Sequence, residues 1–205
     1  MKSATISLVF CTLLAQAALA GTLAVEVKDG KGAGLEDTAV WAVPKFTVPP
    51  RARREAAVEQ LNRRFVPLVT VVQVGALVQF PNRDEVRHHV YSFSPAKSFE
   101  LKLYAGTPAA PVLFDKAGEV VLGCNIHDQM IAYVYVVDTP WFGKTGKDGR
   151  LRLEGLPAGE YELHARHPAQ AAAAESQLLR MKADEAATAT VSITTRPQLA
   201  PTPTK

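Results

Sequence analysis

Three side chains in one short loop could together bind a transition metal: Cys124, His127 and Met130. Their spacing is Cys-x-x-His-x-x-Met, which places a thiol, an imidazole and a thioether close together in the chain. A mononuclear blue-copper site uses one thiolate, two imidazoles and a weakly bound thioether. The second imidazole can come from His88 or His89, which lie in a separate, strand-like segment. The sequence therefore predicts one copper site. The alternative is a chance grouping of a buried cysteine, a surface histidine and a packing methionine.

The first 20 residues have the pattern of a secretory signal peptide. Lys2 is their only charge, an apolar run follows, and Ala18-Leu19-Ala20 offers a small-residue cleavage site. The apolar run is short for a membrane span, so we expect no span after cleavage and a periplasmic location. Cleavage would remove Cys11 and leave Cys124 as the single cysteine, which cannot form an internal disulfide. A metal-bound thiolate explains such a cysteine better than a free thiol exposed to oxidation.

The charge balance and the motif content give no support for nucleic-acid binding or for a c-type haem. The chain has 23 basic and 20 acidic residues, and removing Lys2 brings them still closer to balance. A nearly neutral chain gives no reason to expect nucleic acid as a partner. The sequence has no Cys-x-x-Cys-His motif, so we expect no c-type haem attached to this chain.

Hydrophobic alternation predicts β-strands along the whole mature chain. Short apolar runs are separated by glycine, proline and aspartate turn signals at regular spacing, as in a β-sandwich or barrel. The predicted strands include 23–27, 38–43, 58–61, 69–74, 76–80, 101–104, 111–114, 119–124 and 131–137. The alanine run at 171–174 favours a helix by propensity, but strands near 178–181 and 190–193 suit a closing sheet. The predicted fold class is therefore all-β.

The stretch from Val58 to Asp138 carries several short motifs in a fixed order. They are Phe65-Val66-Pro67, Val-Gln-Val-Gly at 72–75, Phe80 and Asn82 before the histidine pair, Phe114 and Gly118 before the cysteine, and the ligand loop. In order and separation these motifs resemble the cupredoxins, and most of all the amicyanin-like exported proteins associated with methylamine utilisation. The resemblance implies a Greek-key β-sandwich that holds one type 1 copper ion.

The resemblance also implies a ligand set and a choice between the two histidines. The implied copper ligands are His88, Cys124, His127 and Met130. Cupredoxins usually carry His-Asn-Val at the first ligand, and His88-His89-Val90 matches it with His89 in the place of Asn. In a strand the two rings point to opposite faces, so only one can bind the metal. We predict that His88 binds and that the His89 imidazole bonds across to the other ligand loop.

The segments on either side of this stretch resemble the two parts of a second module. Asp29-Gly30 near the start, and Asp148-Gly149 followed by Gly155-Leu156-Pro157 and Tyr161, resemble a carboxypeptidase-regulatory or transthyretin-like β-sandwich. We expect His164 and His167 to be a strand surface residue and a turn residue there, not metal ligands. The predicted organisation is a signal peptide at 1–20, the first part of this sandwich at 21–46, a linker at 47–56, the cupredoxin domain at 57–139, the second part at 140–195 and a disordered tail at 196–205.

The sequence alone is compatible with two functions. The first is one-electron transfer between redox proteins, such as a dehydrogenase and a c-type cytochrome, as the resemblance to amicyanin implies. The second is a copper-carrying accessory protein that docks a periplasmic complex through its second sandwich without cycling electrons. We do not expect an enzyme, because four protein ligands leave no open position at the metal for a substrate.

Overall fold

The computed structural model describes residues 20–49, 55–108, 110–172 and 176–196. Those residues form strands and turns without a helix, which confirms the predicted all-β class. None of the described segments is a helix long and apolar enough to cross a membrane. Most of the predicted signal peptide (1–19), part of the linker (50–54), the last two residues of the alanine run with the following Glu175 (173–175), and tail residues 197–205 lie outside the described residues.

The described residues contain seventeen strands, numbered here in chain order. The first nine are β1 Gly21–Asp29, β2 Ala39–Pro44, β3 Glu55–Ala57, β4 Glu59–Leu61, β5 Arg64–Val66, β6 Val69–Gln73, β7 Ala76–Gln79, β8 His88–Ser94 and β9 Lys97–Tyr104. The remaining eight are β10 Val112–Phe114, β11 Gly118–Gly123, β12 Ile131–Val137, β13 Phe142–Lys144, β14 Arg150–Leu156, β15 Gly159–Arg166, β16 Gln177–Met181 and β17 Ala186–Ile193. Strand β3 begins inside the segment predicted as a linker, where it pairs in parallel with β7.

The middle of the chain forms a unit of two main sheets, called here the metal unit. A five-stranded sheet has the order β6-β12-β11-β8-β9, and a three-stranded sheet has the order β10-β7-β3. Buried side chains from both sheets share one core, which includes Phe80, Phe114 and Leu122. A small hairpin, β4-β5, completes the unit near the ends of its strands. The loop that carries Cys124 joins β11 to β12 of the five-stranded sheet.

The two ends of the described chain pair with each other in a second unit. Its sheets have the orders β14-β1-β17 and β13-β2-β15-β16, so the early strands β1 and β2 each lie between strands from the far end of the chain. Their apolar faces enclose a separate core around Leu23, Trp141 and Tyr161. The last described residue, Arg196, is held to this unit because its amide donates to the Ala169 carbonyl.

The two units touch through the outer face of the five-stranded sheet. Val69 and Tyr135 of the metal unit pack against Ala39 of β2, with Trp41, Val71 and Tyr133 around them. Beside this apolar contact, Arg166 Nε donates to Glu119 Oε2 at 3.1 Å. One face of the metal unit is therefore covered by the second unit.

Candidate metal centre

The position of Cys124 follows from the alternation of side chains along β11. Val120 and Leu122 are buried in the core, while Val121 between them is exposed. Continuing that alternation turns Cys124 inward, and its side chain is 3% exposed. Gly123, just before it, has no side chain, and the Tyr91 ring occupies that space: a Cβ there would lie 2.7 Å from Tyr91 Cζ.

Two imidazoles meet this thiol. Cys124 Sγ lies 3.9 Å from His88 Nδ1 and 3.9 Å from His127 Nδ1. The three donor atoms all lie within 4.8 Å of one another, and two of the three side chains are buried. The structure thus brings together three of the four side chains that the sequence analysis proposed as ligands.

The spacing of these donors fits a single ion. Metal–sulfur and metal–nitrogen bonds of about 2.3 and 2.05 Å, as for zinc, place the two donors about 3.8 Å apart at a trigonal angle. The two observed sulfur–nitrogen distances of 3.9 Å agree with that value. One thiolate and two imidazoles in a trigonal arrangement are the strong ligands of a blue-copper site. The residues present therefore fit a type 1 copper ion.

Met130 lies three residues after His127, at the end of the ligand loop. Its side chain is fully buried in the core of the metal unit, in the same cluster as Cys124. Its amide donates to the His127 carbonyl at 2.9 Å, which closes the ligand loop into a tight turn before β12. The short turn therefore brings Met130 into the same buried core as Cys124.

His88 begins β8 and is fully buried. Its Nε2 lies 2.7 Å from Asp84 Oδ2, and its Nδ1 faces the thiol. A carboxylate on the far nitrogen of a ligand imidazole fixes the ring orientation and makes the near nitrogen a better ligand. Asp84 therefore acts as a positioning residue for His88. This role of Asp84 was not predicted, although an acidic residue four positions before a candidate ligand histidine is visible in the sequence.

Asp84 is itself held by the turn of the β4-β5 hairpin. The amides of Asn62 and Arg63 donate to its two carboxylate oxygens at 2.6 and 2.9 Å. Both turn residues have φ near +53°, which directs their amides toward the carboxylate. Burial acts to raise the pKa of Asp84. The bonds from the Arg63 amide, the His88 ring and the Asn62 amide outweigh burial and hold that pKa below its usual value.

Asn82 fixes the loop that carries Asp84. Its side-chain amide donates to the carbonyls of Val86 and Tyr104, and its side-chain oxygen accepts from the Asp84 amide. Its own amide donates to the Gly106 carbonyl. Asn82 therefore ties the loop before β8 to the end of β9.

The other histidines lie outside the cluster. His89 is 8% exposed, and its Nε2 lies 2.9 Å from Glu100 Oε1 on β9. The prediction that its imidazole bonds to the other ligand loop was wrong, because the β8-β9 pairing places Glu100 within its reach. His164 stacks on Trp41 in the second unit, and His167 accepts the Ala169 amide in a turn.

Several solved structures resemble this chain in part. A copper-containing nitrite reductase from Thermus scotoductus SA-01 is 24% identical with a TM-score of 0.39, covering 47% of this chain and 25% of its own. A reduced mutant of amicyanin is 22% identical with a TM-score of 0.36, covering 39% of this chain and 79% of its own. A purple cupredoxin from Nitrosopumilus maritimus is 20% identical with a TM-score of 0.36, covering 40% of this chain and 98% of its own.

The chain thus spans about a quarter of the length of the nitrite reductase chain that it resembles. No protein-family model matches this chain. No curated protein matches it either.

Proposed function

We propose that this protein binds one copper ion as a type 1 centre and carries single electrons between redox proteins in the periplasm. His88, Cys124 and His127 would be the strong ligands, and Met130 the weak axial one. The observation that supports this most is the meeting of one sulfur and two imidazole nitrogens within 4.8 Å in a largely buried pocket. When bound there, copper would supply a one-electron couple.

The surroundings of the ligands suit such a role. His88 and Met130 are fully buried and Cys124 is 3% exposed, so three of the four proposed ligands are shielded from solvent. Asp84 and the hairpin turn hold the His88 ring in place through hydrogen bonds already formed. Ligands that are fixed in this way need little rearrangement when the charge of the ion changes.

His127 is the ligand through which a partner would exchange the electron. It is the one member of the cluster that is partly exposed, and its neighbour Ile126 is 49% exposed. The polar residues Asp128 and Gln129 follow it and are exposed. By resemblance to amicyanin, the partner would be a redox protein such as a dehydrogenase or a c-type cytochrome.

Burial of the ligands argues against copper delivery as the main role. A protein that hands its ion to another must let a partner's ligands reach that ion, and here three of the four side chains are 3% exposed or less. With four protein ligands, the site would also lack the open position that metal enzymes keep for substrate. Electron transfer is therefore the function that these residues suit best.

The visible spectrum of the copper-loaded mature protein tests the proposal. A copper–thiolate bond should give an intense blue or green colour in the oxidised protein, lost on reduction and recovered on reoxidation. Cys124→Ser should abolish that colour, whereas Asn125→Ser, at the exposed next position, should keep it. Intense colour that persists in Cys124→Ser, or a colourless copper complex of the unaltered protein, would rule out the type 1 centre.

A further inference from the structure

A cleft of about 360 Å³ lies beside the contact between the two units, away from the metal ligands. Its wall combines residues from both units: Trp41 of β2, Arg166 of β15, residues 117–119 at the start of β11 and residues 135–138 at the end of β12. Clefts of this size at the junction of two folded units are common positions for small-molecule sites. None of the four proposed copper ligands lines it.

The charged groups of the cleft are unequal in number. Arg166 Nε donates to Glu119 Oε2 at 3.1 Å, so these two charges offset each other. Asp138 also lines the cleft and is exposed, and it forms no ion pair within the described parts of the chain. The cleft therefore carries one uncompensated negative charge.

A buried hydroxyl that lines the cleft has no hydrogen-bond partner in the described part of the chain. Tyr135 is 3% exposed and lines the cleft, and its hydroxyl makes no hydrogen bond to any described residue. Burial raises the pKa of Tyr135, and the nearby Glu119 carboxylate adds to that effect. The hydroxyl therefore stays neutral and can accept or donate a hydrogen bond. Buried polar groups are nearly always paired, so this one points to a missing partner.

We propose that the cleft binds a small organic cation, an ammonium group attached to an apolar or aromatic body. The Asp138 carboxylate would attract the charge, and the second oxygen of Glu119 and the Tyr135 hydroxyl offer acceptors for its N–H groups. The Trp41 indole, which stacks on His164, adds an aromatic wall for the body of the ligand. Val136 and Val137 supply apolar wall for the body of the ligand.

An anionic ligand suits the cleft less well. Among the described residues that line it, Arg166 is the only basic one, and its guanidinium is already bonded to Glu119. An incoming carboxylate would have to compete with Glu119 and would be repelled by Asp138. The balance of charge therefore selects a cation.

Binding of benzylammonium to the copper-free full-length protein tests this proposal. Benzyl alcohol and benzoate are matched controls, because they keep the aromatic body and change only the charge. Benzylammonium should bind saturably by calorimetry, at least tenfold more tightly than benzyl alcohol, and benzoate should not bind. In NMR spectra the indole N–H resonance of Trp41 should shift, and that of the core residue Trp141 should not.

Two variants locate the site. Asp138→Asn should weaken benzylammonium binding at least fivefold, whereas Glu160→Gln, an exposed acid at the other end of β15, should not change it. Tyr135→Phe removes only the unpaired hydroxyl, so it should weaken binding while leaving the protein as stable as before or more stable.

Equal binding of benzylammonium and benzyl alcohol would show an apolar cleft without charge selection and would overturn the proposal. So would preferential binding of benzoate, no saturable binding of benzylammonium, or affinity unchanged by both Asp138→Asn and Tyr135→Phe. The copper-free protein is used, so the result does not depend on whether the metal centre transfers electrons.

Discussion

His88 and His89 are consecutive residues whose rings lie in different surroundings. His88 Nδ1 faces the thiol of Cys124, while His89 Nε2 pairs with Glu100 on the neighbouring strand. Both side chains are buried, and the pairing of β8 with β9 is irregular between His88 and Val90, where the two rings take different partners. Two histidines that are adjacent in sequence therefore have separate structural roles.

Exchange of each histidine should separate these roles. His89→Asn should leave a coloured copper site, because the His89 ring is not among the clustered donors. His88→Ala should abolish the colour or change it strongly, because it removes one of two strong nitrogen ligands. Visible and electron paramagnetic resonance spectra of the copper-loaded variants would measure both effects. The opposite pattern, with colour lost only in His89→Asn, would assign the ligand to His89.

Asp84 should set the reduction potential of the metal through His88. Its carboxylate lies 2.7 Å from His88 Nε2 and places a negative charge close to the ion, which favours the more positive oxidised state. Asp84→Asn keeps the shape and removes the charge, so the potential should rise by on the order of 50 mV, since about 59 mV corresponds to a tenfold change for one electron. Glu85→Gln, an exposed neighbour, is the control and should change the potential little. A potential that is unchanged or lower in Asp84→Asn would contradict this role.

At the scale of elements, the short β4-β5 hairpin holds the loop that carries Asp84. Its turn residues Asn62 and Arg63 hold Asp84 with their backbone amides, and the Arg63 side chain itself is exposed. The hairpin backbone therefore supports the proposed ligand His88 indirectly, through Asp84.

Substitution at this turn should show that Asp84 is held by the backbone amide of Arg63 and not by its side chain. Arg63 has φ near +53°, a conformation that glycine adopts without strain. Arg63→Gly should therefore leave the copper spectrum unchanged and raise the free energy of unfolding by up to about 1 kcal/mol. Arg64→Gly removes the same charge from a strand position and should destabilise the protein by roughly 0.5–1 kcal/mol. Urea unfolding measures both, and a changed spectrum in Arg63→Gly would mean that the side chain takes part.

Local patterns made much of this site predictable. The alternation of Val120, Leu122 and Cys124 could be seen in the sequence, and so could the short ligand loop. The contact between the hairpin turn and Asp84 joins positions about twenty residues apart with no shared motif. The partner of His89 depends on the register of β8 against β9, which alternation does not fix. What the sequence could not reveal was therefore cross-strand register and the support behind the ligands.

At the scale of the whole molecule, the second unit depends on both ends of the chain. Strand β1 lies between β14 and β17, and β2 lies between β13 and β15. Without β1 and β2, each of these sheets loses a central strand and its remaining strands no longer form a continuous ladder. We therefore propose that the segments 21–46 and 140–195 fold as one domain, with the domain at 57–139 inserted between them.

Chains cut at these boundaries test the division. A chain of residues 55–139 should fold and bind copper, since its strands pair among themselves. It should be less stable than the full protein, because Val69 and Tyr135 lose their apolar contact with Ala39 and Trp41 and become exposed to solvent. A chain of residues 140–205 should not fold. A well-dispersed NMR spectrum from that second chain would show that it is independent of the N-terminal strands.

The parallel pairing of β1 with β17 also governs the order in which the protein can assemble. Leu23 of β1 pairs opposite Ala187 of β17, so the first described strand cannot complete its pairing until the last one has been made. The strands of the metal unit all lie between Glu55 and Val137 and can pair while the rest of the chain is still emerging. Contacts so distant in sequence form slowly, and strands left waiting expose unpaired edges. During folding, the interval before β17 is available is therefore when this chain is most open to aggregation.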